Sequence, residues 1–274
     1  MRRATRRALW TAVSAAVLGA ILIYMVIPSM VVIMAAFNDK AILSFPPANP
    51  SWRWFIKAIN YEDFRNGFYN GLIVTAWASG IALVVGTTFA YAIDRYQFRG
   101  KQALETLLLS PLVIPHFTVG LAFLILASQP LLMLSRTFVL VVVTHVVLVL
   151  PFVLRSVYVS LKNLDRTVER AAESLGASPL QVLVRIDLPL LAPGLFGGWL
   201  FAAILSFNEF TASLFVTGQR TQTLPVAMYT YVREYADPSM AAISTMFIVS
   251  TALILILANR FLGLQRILAI EGQR

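Results

Sequence analysis

Six long apolar stretches decide what this chain can fold into: residues 9–37, 68–93, 104–127, 138–161, 193–216 and 240–262. At about 1.5 Å of rise per residue, each can cross a hydrocarbon core of about 30 Å as a helix. Lipid offers no water to backbone N–H and C=O groups, so a segment that satisfies its own ladder is the form such stretches take. Composition agrees, with 58% apolar residues, 13% charged residues and a mean hydropathy of +0.76. A soluble domain carries about 25% charged residues. An ordinary soluble enzyme, a disordered chain and a secreted disulfide scaffold are excluded. With no cysteine, iron–sulfur clusters and thiolate metal sites are excluded too. The first stretch is too long for a signal-peptide core and lacks a small-residue cleavage site, so it is expected to be retained. The fifth is the weakest, because Asn208 and Glu209 interrupt it. The expected organisation is a basic tail over 1–8, one six-helix transmembrane domain over 9–262 with a working loop at 162–190, and a second tail over 263–274.

Lys and Arg number 22 against 13 Asp and Glu, a formal charge of +9. In a soluble protein that excess points to nucleic acid, but here the distribution matters more. Fifteen of the 22 fall in the two tails, the loop between the second and third stretches, and the loop between the fourth and fifth, counting Arg155 and Arg260 at their flanks. Basic residues hold loops on the cytoplasmic side against anionic lipid. Both termini are therefore expected in the cytoplasm, with lipid rather than nucleic acid as the basic residues' partner.

Outside, Phe45-Pro46-Pro47 stops any helix. Trp52, Phe55, Ile56 and Ile59 then recur at helical spacing, which predicts a short helix lying in the outer interface. Two readings stay open for it, an aromatic anchor or a contact for solute or partner.

The loop at 162–190 carries the most organised chemistry. Val168, Ala171, Ala172 and Leu175 share a helical face, Asp165 is placed to cap its start, and Gly176 sits where a left-handed residue would end it. A second helix is expected at once, with Ser178 as cap, Pro179 at its first position and Gln181 completing a capping box. Leu180, Leu183 and Val184 form its apolar face, and Pro189 is expected to close it. Such a hairpin can lie on lipid headgroups or dock as a knob in a partner's groove.

The residues themselves go further. Ala171-Ala172, Gly176, Ile186 and Leu188-Pro189, at their spacings, resemble the EAA loop of permease subunits of bacterial ABC importers. The Glu that opens the motif is replaced by Arg170, with Glu169 one place earlier, turned by about 100° on a helix. The chain also resembles the spermidine/putrescine-type permeases in Phe45-Pro46-Pro47, in Ser110-Pro111-Leu112-Val113-Ile114-Pro115-His116, and in Ser206-Phe207-Asn208-Glu209-Phe210-Thr211. The wording continues through Leu214-Phe215-Val216-Thr217-Gly218 and Thr223-Leu224-Pro225. The resemblance implies an all-α integral membrane protein of six transmembrane helices, the type I importer (MetI-like) fold, in the bacterial inner membrane. It implies a second permease subunit, two cytoplasmic ATPase subunits that bind ATP and magnesium, and a periplasmic solute-binding protein. It also implies coupling to the ATPase through Glu169, Ala171, Ala172, Gly176, Ala177, Ser178, Leu180, Ile186, Leu188 and Pro189. The solute it implies is a small organic cation such as putrescine or spermidine.

Glu209 is the acid expected within the fifth span, where a carboxylate must face a bundle interior or a wet cavity. It admits a solute contact, with Asn208 beside it, or a pairing with a neighbouring basic residue. Related importers carry two acids here, and this chain has one. Tyr229 and Tyr231 admit a solute gate, through cation–π attraction, or an interfacial belt. His116 and His145 are expected to hydrogen-bond between helices rather than hold metal, and Pro111, Pro115 and Pro151 to kink helices. No phosphate-loop sequence is present, so the chain itself is not expected to hydrolyse ATP, and no metalloprotease or serine-hydrolase motif supports a membrane enzyme. The alternatives are an importer of an amino-acid-like solute or an ATP-independent secondary transporter, which would need internal repeats not found here.

Overall fold

Apolar stretches become helices close to where hydropathy puts them. The computed structural model describes residues 2–41, 45–47, 49–129 and 136–262, and among these the regular structure is all helical. The tail expected over 263–274 lies outside the described residues. Helix α1 spans Arg2–Ala36, so the basic N-terminal residues already wind into the first helix. A short α2, Arg53–Asn60, precedes α3, Glu62–Arg95. Then follow α4 (Lys101–Leu109), α5 (His116–Ala127) and α6 (Phe138–Lys162). Helices α7 (Arg166–Ser174), α8 (Pro179–Val182) and α9 (Leu188–Phe207) come next. The last three are α10 (Ser213–Val216), α11 (Leu224–Glu234) and α12 (Ser239–Leu262). By length and composition, Leu9–Ala36, Glu62–Arg95, Phe138–Lys162 and Pro179–Phe207 can each cross a membrane. The sixth expected stretch lies on α12.

The kink expected at Pro115 is met as a sharp corner, and two other expectations need correction. The third stretch is not one straight span: Lys101–Leu112 and His116–Ala127 meet at 105°. Pro115 lacks an N–H and pushes the residue before it toward extended backbone, so the helix must restart after it. The fifth span starts earlier and ends sooner than expected. Pro189 does not close α8; the helix runs from Pro179 to Phe207 through one π turn at Leu183–Asp187. Pro189 has no N–H for the carbonyl one turn back, and the ladder slips by one residue to absorb the loss. At the other end Asn208 turns its amide onto the Ile204 carbonyl at 2.8 Å, competing with the helix ladder, and α9 stops. Pro151, by contrast, sits inside a continuous α6.

The chain divides into two compact units, one of residues 1–62 with 230–263, the other centred on 63–229. In the second, α3, α6 and α9 share an apolar core of Ala82, Ala90, Ile93, Val149, Val153, Val157, Leu191 and Ala202. Lipid is as apolar as these side chains, so close packing and buried hydrogen bonds hold such helices together. Gly86 shows the fit, since a Cβ there would sit 3.0 Å from Val153. Ser156 donates to the Gly194 carbonyl at 2.8 Å, joining α6 to α9.

In the first unit, α2 packs on α12 and buries Trp54, Phe55 and Ala58, leaving Trp52, Ile56 and Ile59 of its expected stripe exposed. Lys57 reaches Asp237 at 2.6 Å, and Tyr231 donates to the same carboxylate at 3.0 Å. Burial pushes the Asp237 carboxyl up, but hydrogen bonds from Lys57 and Ser239 outweigh it and hold the group below its usual range. The hydrogen bond to Asp237 likewise raises Lys57.

Candidate functional site

Two places in the 63–229 unit gather polar chemistry, one where broken helices meet and one at the loop between α6 and α9. At the first, the α4–α5 corner meets the gap between α9 and α10. Gly120 on α5 permits the approach: a Cβ there would lie 2.7 Å from the Ala212 Cα. Val119, Leu148 and Ala212 form an apolar cluster beside it.

Glu209 lies in this gap, not within a span, because α9 has already ended at Phe207. It is only 9% exposed. Its Oε1 accepts the Ala212 backbone N–H at 2.8 Å, and its Oε2 stands 2.6 Å from His116 Nδ1. The pairing reading of Glu209 is therefore realised inside this chain, and its partner is the first residue of α5. The His116 side chain is 43% exposed, so the acid is the buried member and the imidazole the accessible one.

His145 staples both sides of the gap. Its Nδ1 is 2.9 Å from Ser206 Oγ on α9, and its Nε2 is 2.8 Å from Ser213 Oγ on α10. Ser213 donates its one hydroxyl proton to the Glu209 carbonyl at 2.9 Å. Nε2–H then donates to Ser213, and Nδ1 pairs with the Ser206 hydroxyl. The expected interhelical role of His145 is met, and neither histidine belongs to a metal-holding group among the described residues.

The other solute candidates are not drawn together. Asn208 is exposed and caps α9 with its own amide. Tyr229 packs its ring 5.2 Å from Phe210, next to Glu209. Tyr231 belongs to the other unit, buried, with its hydroxyl on Asp237.

The loop between α6 and α9 forms as its local signals dictate. Asp165 accepts the Thr167 N–H at 2.9 Å at the start of α7, and this bond holds its carboxyl below the usual range. Gly176 takes φ +85°, and the Ala177 and Gly176 amides return to the Ala172 and Glu173 carbonyls at 3.0 and 2.9 Å. That is a complete Schellman end. Ser178 and Gln181 close both bonds of the capping box that opens α8. The turn leaves Leu175 89% exposed and Leu180 68% exposed, with Ala171, Gly176, Ser178 and Pro189 also at the surface. Ala172, Ala177, Ile186 and Leu188 are half-buried.

Glu169 behaves differently from its neighbours in the motif. It is buried and pairs with Arg95 at the end of α3. Arg95 also faces Asp187 of the π turn at 3.6 Å, and Tyr91 donates to that aspartate at 3.2 Å. Beside them the buried Asp94 meets Lys162 at 2.9 Å and Arg166 at 2.7 Å. Both arms of the hairpin are thus ion-paired to the end of α3, while Arg170 remains exposed. Read from sequence, Arg95 counts only toward topology, and Asp94 and Asp187 carry no signal of their own. Charges beside span ends that sum to zero with the loop's were the available hint.

A family model described as the binding-protein-dependent transport system inner membrane component matches residues 95–265. The spermidine/putrescine transport system permease protein PotC of Haemophilus influenzae is 29% identical over 237 residues, covering 86% of this chain and 91% of that one. The putrescine transport system permease protein PotI of Escherichia coli K12 is 29% identical over 226 residues, 81% of this chain and 80% of its own. Among solved structures, a bacterial ABC transporter involved in the import of the acidic polysaccharide alginate superposes with a TM-score of 0.74. It covers 92% of this chain and 96% of that one at 16% identity, a likeness of fold.

Proposed function

Because the chain belongs to the family of binding-protein-dependent transport system inner membrane components, we propose that it is the pathway subunit through which an ATP-driven importer carries a small organic cation. Putrescine or spermidine is the solute proposed, since the named relatives are permeases for these amines. The complete importer would hold a second permease, two ATPase subunits that bind ATP and magnesium, and a periplasmic binding protein. Both termini of this chain would lie in the bacterial cytoplasm, on the side favoured by its Lys and Arg distribution.

One observation carries the reading: a hairpin with capped helix ends, ion-paired at its base, that offers Leu175 and Leu180 outward. Apolar side chains held that way fit a groove on a soluble partner. Glu169 is turned inward to Arg95, so the docking contact falls to Ala171, Leu175 and Leu180, with Arg170 at its edge. Closure of the ATPases on ATP would push the hairpin, and Arg95 would pass the push to α3 and, through the unbroken helix from Pro179 to Phe207, to the gap that holds Glu209. Nucleotide must bind the two states unequally for this to work, since a ligand equally bound to both shifts nothing. At the gap, Glu209 supplies one anionic seat, suited to one ammonium end of the solute, and Tyr229 packs on the adjacent Phe210.

The test is solute-stimulated ATPase activity of the reconstituted complex against a panel of amines and amino acids. Stimulation by putrescine or spermidine through the binding protein is expected. Stimulation confined to amino acids would replace the solute while leaving the importer reading intact.

A further inference from the structure

Glu209 is clamped and His116 is not. The carboxylate is buried, held by the Ala212 N–H and flanked by the His145 bridge between Ser206 and Ser213. The imidazole against it sits at the first turn of α5 with its side chain 43% exposed, and meets Glu209 at 2.6 Å. A buried acid thus faces an accessible imidazole of the chain's own. We propose that His116 is a built-in competitor for the solute, exchanged for its ammonium group at Glu209. This deepens the reading of Glu209 as the ammonium seat and rests on it.

The exchange balances without other groups. Protonated His116 donates Nδ1–H to Glu209 Oε2; the arriving ammonium donates to that oxygen instead, and the imidazole gives its proton to water. Each ammonium bound therefore releases up to one proton. By linkage, an ammonium that displaces a proton binds less well as pH falls. Few other groups face the pair. The α9–α10 gap contributes Glu209 alone, and α5, α10 and Ser110–Leu112 carry no Asp, Glu, Lys or Arg. From α6 comes His145, nearly one turn before Leu148 of the shared apolar cluster, with both ring nitrogens on serine hydroxyls.

The experiment is putrescine uptake by the whole importer in vesicles with its binding protein and ATP, at pH values between about 5.5 and 8. In the native complex the half-saturating putrescine concentration should rise on the order of tenfold toward the acid end. His116→Gln should keep the native high-pH value throughout, with the slope gone. His116→Lys, a permanent cation, should be weaker by about tenfold or more and equally flat. The binding protein is common to all three, so its own pH response cancels. An unchanged slope in His116→Gln overturns the exchange alone. Equal loss in both variants marks a packing role and overturns it as well. No putrescine response of the native complex at any pH refutes the cation reading, and the exchange with it.

Discussion

A carboxylate near a membrane interior is tolerated only when its charge is answered, and Glu209 is answered twice, by the Ala212 amide and by His116. Replacing it with Gln keeps a carbonyl for Ala212 but removes the charge. Glu209→Gln should therefore assemble normally yet lose amine uptake by roughly ten- to a hundredfold, the worth of a charge-assisted hydrogen bond. Uptake at the native level, measured with labelled putrescine, would remove Glu209 from the pathway. The residue stood out in the sequence because an acid in an apolar run is conspicuous. Its surroundings did not: His116 is 93 residues away, and no local pattern announces that two helix breaks meet. The same holds for Arg95 and Glu169, which are 74 residues apart. Pairings of that kind are set by tertiary packing, and hydropathy sees only that each segment is apolar or charged.

Elements were most legible where short-range chemistry decides them. Asp165, Gly176, Ser178, Pro179 and Gln181 each do what their side chains favour, because caps and Schellman ends are closed by residues within a few positions. The breaks were less legible. Pro115 signalled a kink, but a turn of 105° depends on what α5 packs against. Pro189 looked like a stop, yet a π turn lets the helix continue past it. Gly176 gives the sharpest prediction at this scale. Its φ of +85° strains any residue with a Cβ, while no neighbour lies within 4 Å of the place a Cβ would take. Gly176→Val should cost about 1–2 kcal/mol through the backbone alone and tilt the hairpin tip. Transport and solute-stimulated ATPase activity should fall together in vesicles, with expression of the complex near normal. Intact coupling would show that the tip's angle does not matter.

For the whole molecule, composition and span counting were enough to set the class, and the matched family agrees with them. The span expected at 138–161 falls on α6 almost residue for residue, and the one at 68–93 lies within the longer α3, since both are continuous helices. The molecule departs from a plain bundle at the two broken helices, and Glu209 lies where those breaks meet. The hairpin at one end and the Glu209 gap at the other, joined by the helix from Pro179 to Phe207, suit the externally powered pathway proposed. The central claim is that a separate ATPase grips the hairpin, and the chain's lack of cysteine allows a clean test. A lone cysteine at Leu175 should react readily with a water-soluble maleimide in the permease alone, and be protected once the ATPase subunits assemble. Equal labelling with and without the ATPase would mean that nothing grips the hairpin, and would contradict the account.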